Sequence, residues 1–284
     1  MRTPLNKKIV LFALLTALGL MAVLPSLAAL VRDTQHREYY SHIPVIAAVS
    51  AYLIFRRRKD MFRGAASFHP AGLALLVVGA FLGVTGKVAG FGRGDQVTTV
   101  TLAVLLAWWG TYLVLFGKGT DRRAFFPFAF LLLAVPVPMA VLEKVIAALV
   151  AGSTSMTRVF FQAFGVPFFQ ERAVFYLPGF SIEVARECSG IRSSLALLVT
   201  TILAGHIFLR RFRGQALLAV AVFPVAILKN AVRILTLYLL SYFVDIGIIQ
   251  GGFLHRFGGF IFFGMGMAVL GLFLWFLREQ EQHR

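Results

Sequence analysis

The chain has 284 residues, 59% of them hydrophobic, with 29 Phe and a mean hydropathy of +0.82. That is too apolar for a soluble globular protein of this length and makes the chain a polytopic membrane protein. A net charge of +16 invites a nucleic-acid reading, but the basic residues lie in short loops between apolar runs, so nucleic acid is excluded as a partner.

Runs long enough to cross a hydrocarbon core of roughly 30 Å, or about 20 helical residues, fall near residues 9–31, 39–55, 70–90, 97–117, 124–142, 190–209, 215–243 and 255–277. They predict an all-α polytopic fold of about eight transmembrane helices, the second short and the fifth interrupted by Pro136 and Pro138. The first run lacks a small-residue cleavage site and is read as a retained helix, not a signal peptide. The whole of 1–284 is read as one membrane-embedded domain, with 1–120 as scaffold helices and 121–284 as the core that carries chemistry.

The basic loops report topology. Arg2, Lys7 and Lys8, then Arg56, Arg57, Arg58, Lys59 and Arg63, then Lys118, Arg122 and Arg123, then Arg210, Arg211 and Arg213, and finally Arg278 and Arg284 share one face of this layout. By the positive-inside rule that face is cytoplasmic, which places both termini inside. A further crossing within 139–165 would put Arg210, Arg211 and Arg213 outside and bury Glu143 and Lys144 in lipid. This stretch is therefore expected to be a kinked or interfacial helix on the outer surface.

From Gly165 the period changes. Val174–Leu177, a Pro178-Gly179 turn and Phe180–Ala185 predict a short extracytoplasmic β-hairpin with Phe180, Ile182 and Val184 on one face. Such a hairpin either presents an edge to an extended peptide or simply caps the bundle.

The hairpin feeds into Glu187-Cys188-Ser189-Gly190-Ile191-Arg192, which holds the chain's single cysteine. A lone thiol cannot be half of an internal disulfide, and Ser189 and Gly190 suit a helix start whose exposed N–H groups favour the nucleophilic thiolate. On the seventh run Lys229, Asn230 and Arg233 share one face by their spacing, and an intramembrane cation is expected to face a cavity or a partner. The eighth run opens at His255 after Gly251-Gly252. Thiol, guanidinium and imidazole are thus expected at one level on the outer side, whereas His206, on the same helix as Cys188, falls roughly 27 Å away. His255 can take the thiol proton and later protonate a leaving amine, and Arg233 can stabilise a tetrahedral oxyanion. The chemistry is acyl transfer through a thioester.

At these residues the sequence resembles the exosortase and archaeosortase family of integral-membrane cysteine transpeptidases. The matching pieces are Glu187 to Arg192, Asn230-Ala231-Val232-Arg233 and His255 opening the last span. The resemblance implies Cys188 as nucleophile, Arg233 as oxyanion or substrate stabiliser and His255 as acid/base. It also implies a partner class: exported proteins with a C-terminal tail made of a short motif of Pro-Glu-Pro type, a transmembrane helix and a basic cluster.

Supporting roles are assigned to Glu187, Ser189, Arg192 and Asn230. Glu187 would raise the thiol pKa unless Arg186 or Arg192 neutralises it; Arg192 is read either as a contact for an acidic residue of the substrate or as a lipid-phosphate anchor. No metal cluster, Gly-rich phosphate loop or nucleotide motif occurs, so no cofactor is expected, and nothing in the chain specifies an oligomeric state. A basic composition argues against a salt-adapted archaeal protein and points to a bacterial inner membrane, with the site on the periplasmic face. Two rival classes remain at this stage: a transporter or channel with an intramembrane Arg, and a membrane thiol acyltransferase.

Overall fold

In the computed structural model, which describes residues 3–32, 40, 42–62, 69–117, 121–184, 191–243 and 253–283, the apolar runs are helices. The chain divides into two compact units, Met1–Val141 and Leu142–Arg284. Among the described residues six helices are long and apolar enough to cross a membrane, the one over Met139–Ala163 among them, and Pro70–Gly86 and Ala124–Ala134 are shorter apolar helices.

In the first unit α1 (Thr3–Arg32), α2 (Ile43–Met61), α3 (Pro70–Val88), α4 (Arg93–Phe116) and α5 (Asp121–Leu131) follow in order. α2 runs past the expected end at residue 55 and carries Arg56, Arg57, Arg58 and Lys59 within the helix. Long cationic side chains are good helix formers, and Arg58 lies over the Phe55 ring at 3.9 Å while donating to its carbonyl. α3 and α4 are antiparallel and unusually close, because small residues face each other along the seam. A Cβ on Gly72 would come within 2.9 Å of the Gly110 carbonyl oxygen, and one on Gly79 within 2.8 Å of that of Ala103. Lipid tails are as apolar as leucine, so it is this backbone approach, and not hydrophobicity, that holds such helices together.

Hydrogen bonds fix the heights of the other helices along α4. Near its C-terminus Lys8 Nζ donates to the Leu115 carbonyl (3.0 Å) and Tyr112 Oη to that of Met61 (2.7 Å). Phe12, Phe62, Trp108, Tyr112, Phe116 and Phe128 pack as one aromatic cluster beside them. At the other end of α4, Asp95 Oδ1 accepts the Met139 N–H at 3.0 Å, and Tyr40 Oη lies 4.0 Å from the Met139 sulfur.

The expected span 124–142 is interrupted at Pro136 and Pro138, as expected, and only its last residues are reassigned. α5 stops at Leu131, tightens through a 3-10 turn at Leu132–Ala134 and continues extended, with Val135 at φ −68°, ψ 126°. Pro136 disfavours the helical conformation for the residue before it and has no N–H to give to a helix. At about 1.5 Å per helical and 3.3 Å per extended residue, helix, turn and extended piece together match the height of the 24-residue α4. Residues 139–142 belong to the next helix.

That helix, α6 (Met139–Ala163), has 25 residues, starts at the border of the first unit and lies mostly in the second. The kink expected in 139–165 is corrected: the break lies upstream at Val135–Pro138, and α6 is unbroken. Its buried stripe of Leu142, Ile146, Leu149, Ser153, Thr157 and Phe161 has helical spacing. α6 then meets a three-stranded antiparallel sheet, order β1-β2-β3, of β1 (Phe169–Glu171), β2 (Val174–Leu177) and β3 (Phe180–Glu183). The expected hairpin is present at the expected residues, and Gly179 takes the positive φ of 90° that a Pro-Gly turn needs. β1 was not expected: three residues with an exposed, half-buried, exposed pattern are too short to show a period.

The remaining helices are α7 (Ile191–Phe208), α8 (Phe212–Phe243) and α9 (Phe253–Gln282). Phe175, Leu177 and Val184 of the sheet region bury against Phe161 of α6 and Ile234, Leu235 and Tyr238 of α8. Gly152 meets Ile227 and, further along both helices, Phe161 meets Tyr238, so α6 and α8 run in the same sense. At the opposite end of α8, Glu281 of α9 accepts the N–H groups of Arg210 and Arg211 at 2.8 and 3.1 Å, clamping the α7–α8 turn.

Candidate functional site

Cys188, Glu187 and Ser189 lie outside the described residues, as does the side chain of His255. What the structure positions are the helices that flank them: α7 begins at Ile191, three residues after Cys188, and His255 is in the first turn of α9. Arg192, in the first turn of α7, is exposed.

The polar face of α8 forms as its spacing predicts. Lys229 is 5% exposed, Asn230 is 1% exposed, and Arg233 is half-buried one turn further on. Lys229 Nζ donates to Ser193 Oγ in the first turn of α7. Gly266 of α9 packs against the lysine stem: a Cβ there would touch Lys229 Cδ at 3.5 Å and crowd Leu197 Cδ1 at 3.2 Å. Three helices therefore converge on the Lys229 side chain.

α8 and α9 are antiparallel, with Gly214 against Glu281 and Lys229 beside Gly266. The same register sets the His255 backbone opposite Leu240, about 10 Å beyond Arg233 along the bundle. Arg233 lies about 15 Å short of the end of its helix, since α8 continues to Phe243, with Tyr238 packed on Phe180 of β3.

Charge on this face is one-sided. Lys229 and Arg233 repel each other across one turn of α8, and no ion pair to either is present among the described residues. The amide nitrogen of Asn230 is buried without a hydrogen-bond partner, and so are the hydroxyls of Ser153, Thr154 and Thr157 on α6. A buried donor left unmade costs about 1–3 kcal/mol, so this is a place where the chain carries a local cost.

Three other described histidines lie elsewhere. His69 caps α3, its Nδ1 accepting the Ala71 N–H at 3.2 Å; His283 pairs with Glu279 at 3.6 Å; and His206 sits in the last turn of α7, far from Ser193. Among the described residues no group of three or more His, Cys, Asp or Glu is placed to hold a metal ion.

Sequence reasoning singled out the α8 face but not Ser193 or Gly266. Neither carries a local signal: a serine in the first turn of a helix and a glycine within a transmembrane helix are common, and only the helix packing brings the hydroxyl and the glycine against Lys229.

A family model described as transmembrane exosortase matches residues 34–272. Neither a curated protein nor a solved structure matches the chain.

Proposed function

Since the chain belongs to the transmembrane exosortase family, we propose that it is a membrane cysteine transpeptidase that processes the C-terminal sorting signals of exported proteins. The observation that carries this reading is the cationic face of α8, Lys229 and Arg233, set within an apolar bundle beside the first turn of the helix that follows Cys188. Cations in such a place are kept for chemistry or ligands, because each costs several kcal/mol to hold there.

In the proposed reaction the Cys188 thiolate attacks the scissile carbonyl, forming a C–S bond and a tetrahedral oxyanion that the Arg233 guanidinium neutralises. Collapse breaks the C–N bond, and His255, which took the thiol proton, returns it to the departing amine. The thioester is then resolved by water or by a second amine. Ser189 and Asn230 support the site by hydrogen bonding, Arg192 contacts the substrate or lipid phosphate from the exposed side, and Glu187 pairs with a neighbouring Arg. Because the tail is itself anchored by a transmembrane helix, confinement to the bilayer raises its effective concentration at the site.

The enzyme is placed in a bacterial inner membrane with both termini cytoplasmic and the site on the periplasmic face, following the cationic loops. This parity counts α6 as inclined and not as a further crossing. α6 is itself one of the six helices long and apolar enough to cross, so this parity rests on the cationic loops alone.

The test is co-expression of the full chain with a reporter carrying such a tail. Cys188→Ser should abolish tail removal, and His255→Ala should accumulate an acyl-enzyme whose acyl group mass spectrometry identifies as peptide. Tail removal by Cys188→Ser at the parental rate would overturn the proposal in favour of a transporter, and a fatty-acyl adduct would assign the chain to the acyltransferases.

A further inference from the structure

We propose that the outer edge of β3 is a docking site for an extended peptide, the segment of a protein substrate just outside the substrate's own span, which joins the sheet as a fourth strand. The sheet caps the bundle with one face only. Phe175, Leu177 and Val184 bury against α6 and α8, a use of the sheet that does not involve its edges. In the order β1-β2-β3 the strand β3 is an edge strand, and among the described residues no strand pairs with its outer side.

The register decides which backbone groups face outward. Val184 donates its N–H to the Ala173 carbonyl at 2.8 Å, while Glu183 lies opposite Val174 and Ser181 opposite Tyr176. Hydrogen-bonded and non-hydrogen-bonded pairs alternate along an antiparallel ladder. The main-chain groups of Phe180 and Ile182 therefore turn to β2, and those of Ser181 and Glu183 turn away from it. Both of these residues are exposed. Edge strands that must stay unpaired are commonly blunted by a proline, a lysine or a bulge. β3 has none of these, since it reads Phe-Ser-Ile-Glu and pairs with β2 residue for residue. Its single charge, Glu183, stands on the exposed face of the pleat and not across the edge. The opposite edge offers less: β1 has three residues, and the Gln170 side chain folds back to donate to the Arg172 carbonyl at 2.9 Å.

Position in the chain names the occupant. Cys188 follows Glu183 so closely that even a fully extended connection keeps the two within about 18 Å. A peptide laid along β3 is thereby brought within reach of the thiol. A tail anchored by its own span presents its extended segment on the outer side, where the cationic loops place the sheet. Main-chain pairing supplies affinity without a set sequence, and alternate side chains supply selectivity. Those turned toward the bundle meet aromatic rings: Tyr238 lies 5.9 Å from Phe180, and Tyr242, 53% exposed, stacks on Tyr238 at 5.8 Å. The identity of the peptide rests on the tail-processing reading; the edge itself does not.

Binding tests the edge separately from cleavage. The full chain carrying Cys188→Ala, in nanodiscs, is titrated with fluorescent single-span peptides whose segment outside the span is N-methylated on the backbone at one position at a time, prolines excepted. Binding should weaken about tenfold at alternate positions along a run and little at those between, because only every second N–H of an added strand faces β3. Ser181→Pro removes an outward N–H while leaving the ladder to β2 whole. It should weaken binding of the unmodified peptide about tenfold, whereas Ser181→Ala, which keeps the main chain, should bind like the parent. Should Ser181→Pro fail to fold, the peptide scan decides alone. Uniform weakening or none along the scan, no binding of the unmodified peptide, or equal binding by folded Ser181→Pro and Ser181→Ala overturns the docking edge. Conversion of a dimer to a monomer by Ser181→Pro with peptide binding unaltered also overturns it, and makes the edge a contact between copies of this chain. Cleavage of the same peptides by the chain with Cys188 intact is read alongside. Alternation in binding without cleavage removes the tail-processing reading and leaves the edge standing, whereas cleavage without alternation does the reverse.

Discussion

Asn230 shows how a single residue separates stability from function in this fold. Its amide nitrogen is buried and unpartnered, so an apolar residue of similar size removes a desolvation cost of about 1–3 kcal/mol. Asn230→Leu is therefore expected to leave the melting temperature of the detergent-solubilised protein unchanged or raised, while reducing tail processing. A lowered melting temperature would mean that Asn230 is a structural residue. Glycine gives the converse case. A Cβ at Gly110 would sit 2.7 Å from the Gly72 carbonyl oxygen, whereas at Gly271 nothing lies within 4 Å. Gly110→Ala should destabilise by about 1–3 kcal/mol through forced separation of α3 and α4. Gly271→Ala should be neutral or stabilise by up to about 1 kcal/mol through helix propensity. Paired thermal unfolding curves followed by tryptophan fluorescence decide this, and equal shifts would dismiss the close-packed seam.

Among elements, the α7–α8 turn depends on a carboxylate supplied by the far end of α9. Glu281 accepts two backbone N–H groups that would otherwise be orphaned at the start of α8, where a negative charge also meets the positive end of the helix dipole. Glu281→Ala should cost about 1–3 kcal/mol and open residues 209–211 to protease; unchanged protection would show that the clamp carries no weight. The same scale explains which elements were legible. Apolar runs predicted the long helices because the period and the length of a lipid-embedded helix are written directly in composition. The hairpin was legible because Pro178-Gly179 and the alternation of Phe180, Ile182 and Val184 are local signals. The break at Pro136 and Pro138 was legible too, but the way the extended piece completes the crossing from α5 to Met139 was not, since a run of apolar residues conceals how far an extended piece climbs. The acceptor for the Met139 N–H is Asp95, distant in the chain.

For the whole molecule, the cationic loops predict that reporter fusions after Arg213 are cytoplasmic and that fusions within the hairpin at Pro178-Gly179 are external, with α6 adding no crossing. An external signal after Arg213 would make α6 a ninth crossing and move the site to the other face. The sequence by itself determined that this is a polytopic α-helical membrane protein and which residue types gather on the polar face of α8. Both follow from quantities local to the chain: transfer free energy, helical period, and the cost of a charge in lipid. The tertiary structure alone decided that Lys229 reaches Ser193 beside Gly266, that α8 continues well past Arg233 to pack Tyr238 on the sheet, and that the bundle leaves two cations without a described carboxylate near them. Those are facts of register between helices distant in sequence, and register is set by which side chains interdigitate across the interface.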